Sequence, residues 1–140
     1  MGLFARLGFK KTTLDDVAGE VGIVKSALYR YFSNKEELFN AVIDFLAKEH
    51  MENVERAVME ARGTENKLRA VLLSGHQAAV IRAREAAVPL EVWREIKPLI
   101  DERTEGYKRS AIDGTRRIIE EGIARGELVC EDPKMVAVFM

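Results

Sequence analysis

The stretch TTLDDVAGEVGIVKSALYRYFSNKEEL, residues 12–38, decides the fold of this chain. It predicts two short helices joined by a tight turn, followed by the start of a third helix. Thr12 or Thr13 can cap the first helix, because each is followed three residues later by an aspartate that can complete a capping box. Gly22 ends that helix, since glycine readily adopts the left-handed backbone conformation that such a turn requires.

The second short helix is predicted to run from about Val24 to Phe32, with one face buried and the other exposed. Leu28 and Phe32 lie four residues apart and therefore share the inner face. We expect that face to join a small core whose other members are Val17, Val21 and Leu38. The opposite face then presents Lys25, Ser26, Tyr29 and Arg30.

The exposed face of this helix has the chemistry that a DNA major groove requires. Lys25 and Arg30 can reach phosphates or guanine edges, and Tyr29 can contact a thymine methyl group or donate to a phosphate. Ser26 is short enough to let the helix approach the groove. A solvated helical hairpin is the alternative interpretation, because charged residues on a helix face usually contact only water.

The remaining sequence predicts only helices, because its apolar residues repeat at helical spacing. A capping box over residues 33–36 is predicted to open a long helix that ends before Gly63. Further helices are predicted over residues 65–86, which are apolar enough to imply deep burial, over residues 99–125, and from Pro133 onward. Pro89 and Pro98 are expected to break the chain between them. The buried stripe of the first long helix is predicted to contain Leu38, Val42, Phe45 and Leu46.

The composition is typical of a globular protein, with 140 residues of which 47% are apolar and 32% charged. No apolar run reaches the roughly 18 residues of a membrane span, and no signal peptide is evident. A net charge of −1 does not by itself indicate a nucleic-acid partner, but phosphate contacts need only a local basic patch. Cys130 is the single cysteine, which excludes an internal disulfide. We therefore expect a soluble cytoplasmic protein.

No motif in the sequence favours an enzyme. His50 and His76 do not have the spacing of zinc ligands, and no HExxH, CxxC or glycine-rich phosphate loop occurs. Cys130 has no histidine near it in sequence, so an ordinary thiol is favoured over a redox sensor. No metal or cofactor is therefore predicted.

The segment GFKKTTLDDVAGEVGIVKSALYRYFSNKEELF, residues 8–39, resembles the DNA-binding module of the TetR (tetracycline-repressor) family of bacterial transcription regulators. The resemblance implies an all-α fold, with a three-helix helix-turn-helix domain over residues 1–46 and a helical effector-binding and dimerisation domain over residues 47–140. It also implies a homodimeric repressor that binds a palindromic operator in double-stranded DNA and releases it when a small molecule binds. The matching residues are Gly8, Thr12, Thr13, Val17, Ala18, Gly22, Leu28, Tyr29, Phe32, Lys35 and Leu38.

The same resemblance implies that seven side chains contact DNA. Thr13 and Lys35 would meet phosphates, and Tyr31 would lie against the DNA backbone. The groove contacts would be Lys25, Ser26, Tyr29 and Arg30. The chain departs from the family in lacking the basic arm that often precedes the first helix, and in lacking the family's last two helices beyond Met140. The sequence is therefore interpreted as incomplete at both ends.

A hydrophobic or amphipathic effector is expected in the second domain, because its helices are largely apolar. His76, Trp93 and Tyr107 are candidate contacts, since each combines a ring with a polar atom. Each also remains open to interpretation as an ordinary core or surface residue. Gly114 is expected to mark either close helix packing or a ligand cavity. A helical interaction domain that does not bind DNA is the alternative function.

Overall fold

A computed structural model describes the backbone of residues 2–85 and 88–140, and the side chains of residues 2–75 and 88–140. All of the regular structure in these ranges is helical, which confirms the all-α prediction. Within them, no helix is both long and apolar enough to cross a membrane. The helices are α1 (Gly2–Leu7), α2 (Leu14–Val21), α3 (Lys25–Tyr29), α4 (Lys35–Glu60), α5 (Thr64–Glu85), α6 (Leu90–Ala124) and α7 (Pro133–Phe139).

The ends of α2 follow the local signals in the sequence. Thr13, not Thr12, is the N-cap, and it forms a complete capping box with Asp16. Gly22 closes the helix in the left-handed conformation, with φ of 71°. Thr12 is instead fully buried, and its hydroxyl donates to the Gly8 carbonyl over 2.7 Å.

The predicted capping box of α4 is shifted by one residue. Asn34 is the capping side chain, since its Oδ1 accepts from the Glu37 backbone N–H over 2.8 Å. Glu37 reaches back to the N–H of Ser33, also over 2.8 Å. The prediction that residues 33–36 form the box is therefore wrong by one position, because serine and asparagine are both good caps and only the backbone geometry selects between them.

The prediction that the second short helix extends to Phe32 is wrong, because α3 ends at Tyr29. The N–H groups of Tyr31 and Phe32 both donate to the Leu28 carbonyl, which forms a turn after the helix. The spacing of Leu28 and Phe32 does not distinguish this turn from a further turn of helix, because residues four apart approach each other in both.

Pro98 does not break the chain, contrary to prediction, and lies inside the continuous helix α6. Proline removes one helical hydrogen bond and crowds the preceding turn, which costs about 3 kcal/mol in a helix interior. The flanking residues offset that cost, because Ile96 is buried and Leu99 and Ile100 pack against the same core. Tertiary packing therefore overrides the local signal.

The chain divides into two compact units, and the first comprises residues 1–46 and 83–104. Phe39 is the most deeply buried large side chain among the described residues of this unit, and its ring meets Phe4 and Phe9 at centroid distances of 5.2 and 5.1 Å. Both contacts have the edge-to-face geometry that aromatic pairs favour. The buried core consists of Phe4, Leu14, Ala18, Leu28, Leu38, Phe39, Ile43 and Ile96.

Several predicted core positions are exposed instead. Val21 retains 59% of its surface, and Phe45 and Leu46 retain 66% and 43%. In α5, Leu72 and Leu73 are also about half exposed, so the expected deep burial does not hold for the described part of that helix. The apolar periodicity located the helices but overestimated the width of the face that this single chain buries.

The second unit comprises residues 47–82 and 105–140, and it contains a polar clasp formed by Thr64, Arg125 and Glu127. Glu127 accepts from the Thr64 backbone N–H over 2.9 Å, and therefore satisfies an unpaired donor at the start of α5. Arg125 donates to both the Thr64 hydroxyl and the Glu127 carboxylate, each over 2.8 Å. The hydrogen bonds from Thr64, followed by those from Arg125, lower the pKa of Glu127 to about 2.

Gly122 lets the clasp close, because any side chain at this position would collide with Thr64. A Cβ atom at Gly122 would lie 2.5 Å from Thr64 Cγ2 and 2.8 Å from Thr64 Oγ1. A Cβ atom at Gly114 would meet nothing within 4 Å among the described residues. The sequence suggested close packing at Gly114, but the structure has it eight residues later on the same helix, at Gly122.

We expect Gly122→Ala to lower the free energy of unfolding by about 1–3 kcal/mol, the usual cost of overpacking. Gly114→Ala is the matched control, and it should raise that free energy by up to about 1 kcal/mol, because alanine is the better helix former. Urea unfolding followed by circular dichroism measures both changes. Equal shifts in the two variants would contradict the assigned contact.

A second prediction concerns pH and the clasp. The Glu127 carboxylate has a lowered pKa in the folded chain, so its stabilising effect is complete above its ordinary value of 4.5. That effect is lost as the pH falls from 4.5 towards 2. Glu127→Gln should therefore flatten the fall in unfolding free energy in this pH window, as measured by urea titrations at successive pH values. Glu131→Gln, which also removes one exposed carboxylate, is the control and should retain the wild-type slope.

Candidate nucleic-acid interface

Helix α3 has one buried residue, Leu28, which anchors it in the core of the first unit. The side of α3 away from Leu28 is open to solvent, and Tyr29 there retains 51% of its surface. A short helix held at one point by a leucine therefore presents a polar and aromatic surface. The four predicted groove residues are all exposed: Lys25, Ser26 and Tyr29 lie on α3, and Arg30 directly follows it.

Lys25 forms a salt bridge to Asp15, which lies in the first turn of α2. This hydrogen bond is the main reason that the pKa of Lys25 is raised above its ordinary value. The sequence analysis did not predict this pair, because the two residues lie ten positions apart and on different helices. The carboxylate of Asp15 thus fixes the ammonium group that the sequence predicts to contact DNA, and it places a negative charge beside that group.

Arg30 and Tyr31 form a second pre-arranged pair on this surface. The Arg30 guanidinium donates to the Tyr31 hydroxyl over 3.2 Å, and its central carbon lies 5.0 Å from the centre of the Tyr31 ring. A cation–π contact at an exposed site contributes about 0.5–1 kcal/mol of attraction, which favours this position of the long arginine side chain. The structure therefore joins two residues whose roles were predicted separately.

Thr13 is engaged in the cap of α2. Its hydroxyl donates to Asp16 Oδ2 over 2.6 Å and accepts from the Asp16 backbone N–H over 3.1 Å. The first of these bonds is the largest cause of the lowered pKa of Asp16. The exposed Thr13 is thus held at the start of α2 by its own cap, and a phosphate contact there would compete with Asp16 for the hydroxyl proton.

Lys35 lies at the first position of α4, but its ammonium group points back to the loop between α1 and α2. Its Nζ donates to the carbonyls of Phe9 and Lys10, each over 3.0 Å, and lies 4.8 Å from the centre of the Phe9 ring. An ammonium group has three N–H donors, so one remains for a phosphate. The sequence spacing did not predict these two contacts, because Lys35 lies 26 positions after Phe9 and 25 positions after Lys10.

Comparison with known proteins places this geometry in a family. The family model described as "Bacterial regulatory proteins, tetR family" matches residues 1–42, which include all seven predicted DNA-contacting residues. The HTH-type transcriptional regulator YhgD of Bacillus subtilis is 26% identical across 98% of this chain and 72% of its own length. Residues 1–42 are therefore a DNA-binding module of the TetR family. The chain is accordingly a DNA-binding transcriptional regulator, and its relatives are regulators and not enzymes.

Two further comparisons are informative. IcaR of Staphylococcus epidermidis, a negative regulator of the biofilm operon icaADBC, is 42% identical across 36% of this chain and 32% of its own length. The structure of a complex between SmeT and triclosan superposes with a TM-score of 0.69 at 22% identity, covering 96% of this chain and 67% of SmeT. The second similarity concerns the fold alone.

The structure describes the side chains of two of the three predicted effector contacts and places these two residues in different units. His76 lies on α5 at a position whose side chain is outside the described residues. Trp93 is 42% exposed and belongs to the first unit, whereas the half-buried Tyr107 belongs to the second. A described open cavity of about 340 Å³ in the first unit is lined by other residues, which are Phe9, Glu36, Phe39, Asn40, Leu99, Glu102 and Arg103.

Asp15→Asn should strengthen binding to DNA of unrelated sequence by a factor of about 2–10 at low salt, because it removes a negative charge beside Lys25. Titration of a labelled random-sequence duplex measures this change. Glu20→Gln is the control, since Glu20 lies on the same helix but pairs with Arg6 over 2.8 Å. If both variants change the affinity equally, the effect is one of net charge and not of the Asp15–Lys25 pair.

Proposed function

We propose that this chain is part of a homodimeric repressor that binds a palindromic DNA operator and leaves it when a small hydrophobic or amphipathic molecule binds. The exposed face of α3 carries the proposal. It combines two cations, a tyrosine and a serine on one side of a helix whose other side is fixed by Leu28. The size of that helix suits a major groove, and its side chains suit base edges and phosphates.

The proposed DNA contacts are divided between positioning and sequence recognition. Thr13, Tyr31 and Lys35 would contact the DNA backbone and orient the module. Base edges would be contacted from α3, which would enter the major groove through its exposed face. The proposed groove contacts are Lys25, Ser26, Tyr29 and Arg30.

The proposed domains separate DNA binding from effector binding and dimerisation. We propose that residues 1–46 form the DNA-binding domain and residues 47–140 belong to the effector-binding and dimerisation domain. In a dimer, two α3 helices would contact half-sites roughly 34 Å apart, which is one turn of DNA. A palindromic operator follows from such two-fold symmetry. Because the DNA partner is chromosomal, the proposed location is the cytoplasm.

Repression and effector release are supported by relatives rather than by the geometry of this chain. IcaR is a negative regulator, and SmeT forms a complex with triclosan. We keep His76, Trp93 and Tyr107 as the proposed effector contacts. The effector lowers DNA affinity only if it binds the DNA-free form of the dimer more tightly than the DNA-bound form.

Selection of genomic fragments on the full-length protein tests the proposal directly. Sequencing of the retained fragments should yield one palindromic motif, and retention should fall steeply as salt increases. Small molecules handled by the products of the neighbouring genes are then added to the complex, and one of them should release the motif. A folded dimer that retains all fragments equally, or none, would instead favour the helical interaction domain.

Tyr29→Ala should weaken binding to the selected motif by about 1–3 kcal/mol, which is the usual range for a lost base contact. Binding to an unrelated duplex should change much less, because that binding rests on phosphate contacts. Fluorescence anisotropy with both duplexes measures the two affinities. Lys11→Ala is the comparison variant and should weaken both complexes by a similar factor, since Lys11 is an exposed loop cation outside α3.

A further inference from the structure

The loop between α1 and α2 carries two exposed lysines, Lys10 and Lys11, which precede the cap of α2 by three and two residues, respectively. Lysines on a loop usually sample many conformations, because neither their backbone nor their side chains are fixed. In this loop the backbone is held on both sides. The contacts that hold it come from α4 and α6, so they join the loop to helices distant in sequence.

Lys35 holds the first side of the loop. Its ammonium group donates to the carbonyls of Phe9 and Lys10, and it lies over the Phe9 ring. Phe9 is itself packed against Phe4 and Phe39, with centroid distances of 5.8 and 5.1 Å. The carbonyl oxygens of two consecutive residues are therefore fixed relative to the aromatic core.

Glu95 of α6 holds the second side. Its Oε1 accepts from the backbone N–H of Lys10. The approach needs the small Gly8, which is buried and has φ of 87°, because a Cβ atom there would lie 3.2 Å from Glu95 Oε2 and 3.7 Å from Val92 Cγ2. The loop backbone is thus held by two charged groups. The Lys35 ammonium group donates to the carbonyls of Phe9 and Lys10, and the Glu95 carboxylate accepts from the Lys10 N–H.

The sign of the Glu95 charge makes this contact unusual at a DNA-binding surface. A carboxylate near two lysines reduces their attraction for phosphates, so simple Coulomb interaction predicts that Glu95 weakens DNA binding. The charge-assisted hydrogen bond to the Lys10 N–H acts in the opposite direction, because it fixes the loop in one conformation before DNA arrives. These two effects predict opposite results when Glu95 is removed.

We propose that Glu95 is a positioning residue for DNA binding, which holds the Lys10–Lys11 segment in the conformation that presents both lysines to phosphates. The proposal rests on the proposed DNA-binding function. It assigns to α6 a direct hydrogen-bonded contact with the phosphate-contacting loop. Glu95 acts through the loop backbone and does not touch DNA.

The test compares Glu95→Ala, Glu95→Gln and the control Glu91→Ala in the full-length protein. Affinity for the selected motif and for an unrelated duplex is measured over a series of salt concentrations. Glu91 is an exposed acid one helical turn before Glu95, so its variant reports the effect of charge alone. Glutamine retains an oxygen that accepts from an N–H but carries no charge, so Glu95→Gln separates the hydrogen bond from the charge.

Glu95→Ala should weaken binding to both duplexes by roughly 3- to 10-fold and reduce the salt slope by about 1–2, the value for one or two lost phosphate contacts. Glu95→Gln should keep a slope near that of the wild type, and Glu91→Ala should leave binding unchanged or slightly stronger. The proposal is overturned if Glu95→Ala binds as tightly as Glu91→Ala, or if its salt slope equals that of the wild type.

A double-mutant cycle distinguishes an effect that passes through the two lysines from a general loss of protein stability. In a Lys10→Ala, Lys11→Ala background, Glu95→Ala should have little further effect on affinity, because its effect passes through those two lysines. An undiminished effect in that background overturns the proposal. If Glu95→Ala does not fold, hydrogen exchange of the wild-type Lys10 amide decides instead, since protection is expected and rapid exchange contradicts the contact. Absence of DNA binding by the wild type would overturn the proposed function itself.

Discussion

The burial of Phe39 is the constraint on which the arrangement of the first unit depends. Its ring, in the first turns of α4, is packed edge to face against Phe4 of α1 and Phe9 of the following loop. Ile96 of α6 belongs to the same buried cluster. Phe39 therefore joins α4 to α1 and to the following loop, and the cluster to which it belongs also includes α6. A truncated aromatic at such a position typically costs about 3–5 kcal/mol.

The three predicted DNA-contacting cations on the surface around α3 each contact a polar or acidic partner, and they do not form a cluster of unpaired positive charges. Asp15 pairs with Lys25, Tyr31 supports Arg30, and the carbonyls of Phe9 and Lys10 receive Lys35. These contacts fix flexible basic side chains at the cost of some attraction for phosphates. A chain with a net charge of −1 can thus carry a DNA-binding surface, because side-chain order and local charge matter more than the total.

Local signals in the sequence predicted helix ends well, because caps are formed by neighbouring residues. Thr13 with Asp16, Gly22 and Pro133 all form the expected ends. Predictions that required knowledge of distant residues were less accurate. Pro98 lies inside α6 because the flanking segments pack on a common core, and Val21 is exposed because the core closes without it. Neither fact follows from residues close in sequence.

The sequence by itself determined the all-α fold and the identity of the exposed residues on α3. These depend on helical periodicity and on caps, which act over three or four residues. Only the tertiary structure decided what those residues contact: Asp15 beside Lys25, two carbonyls beneath Lys35 and Glu95 against the Lys10 N–H. Contacts across as many as 85 positions arise when helices pack, and no local rule specifies them.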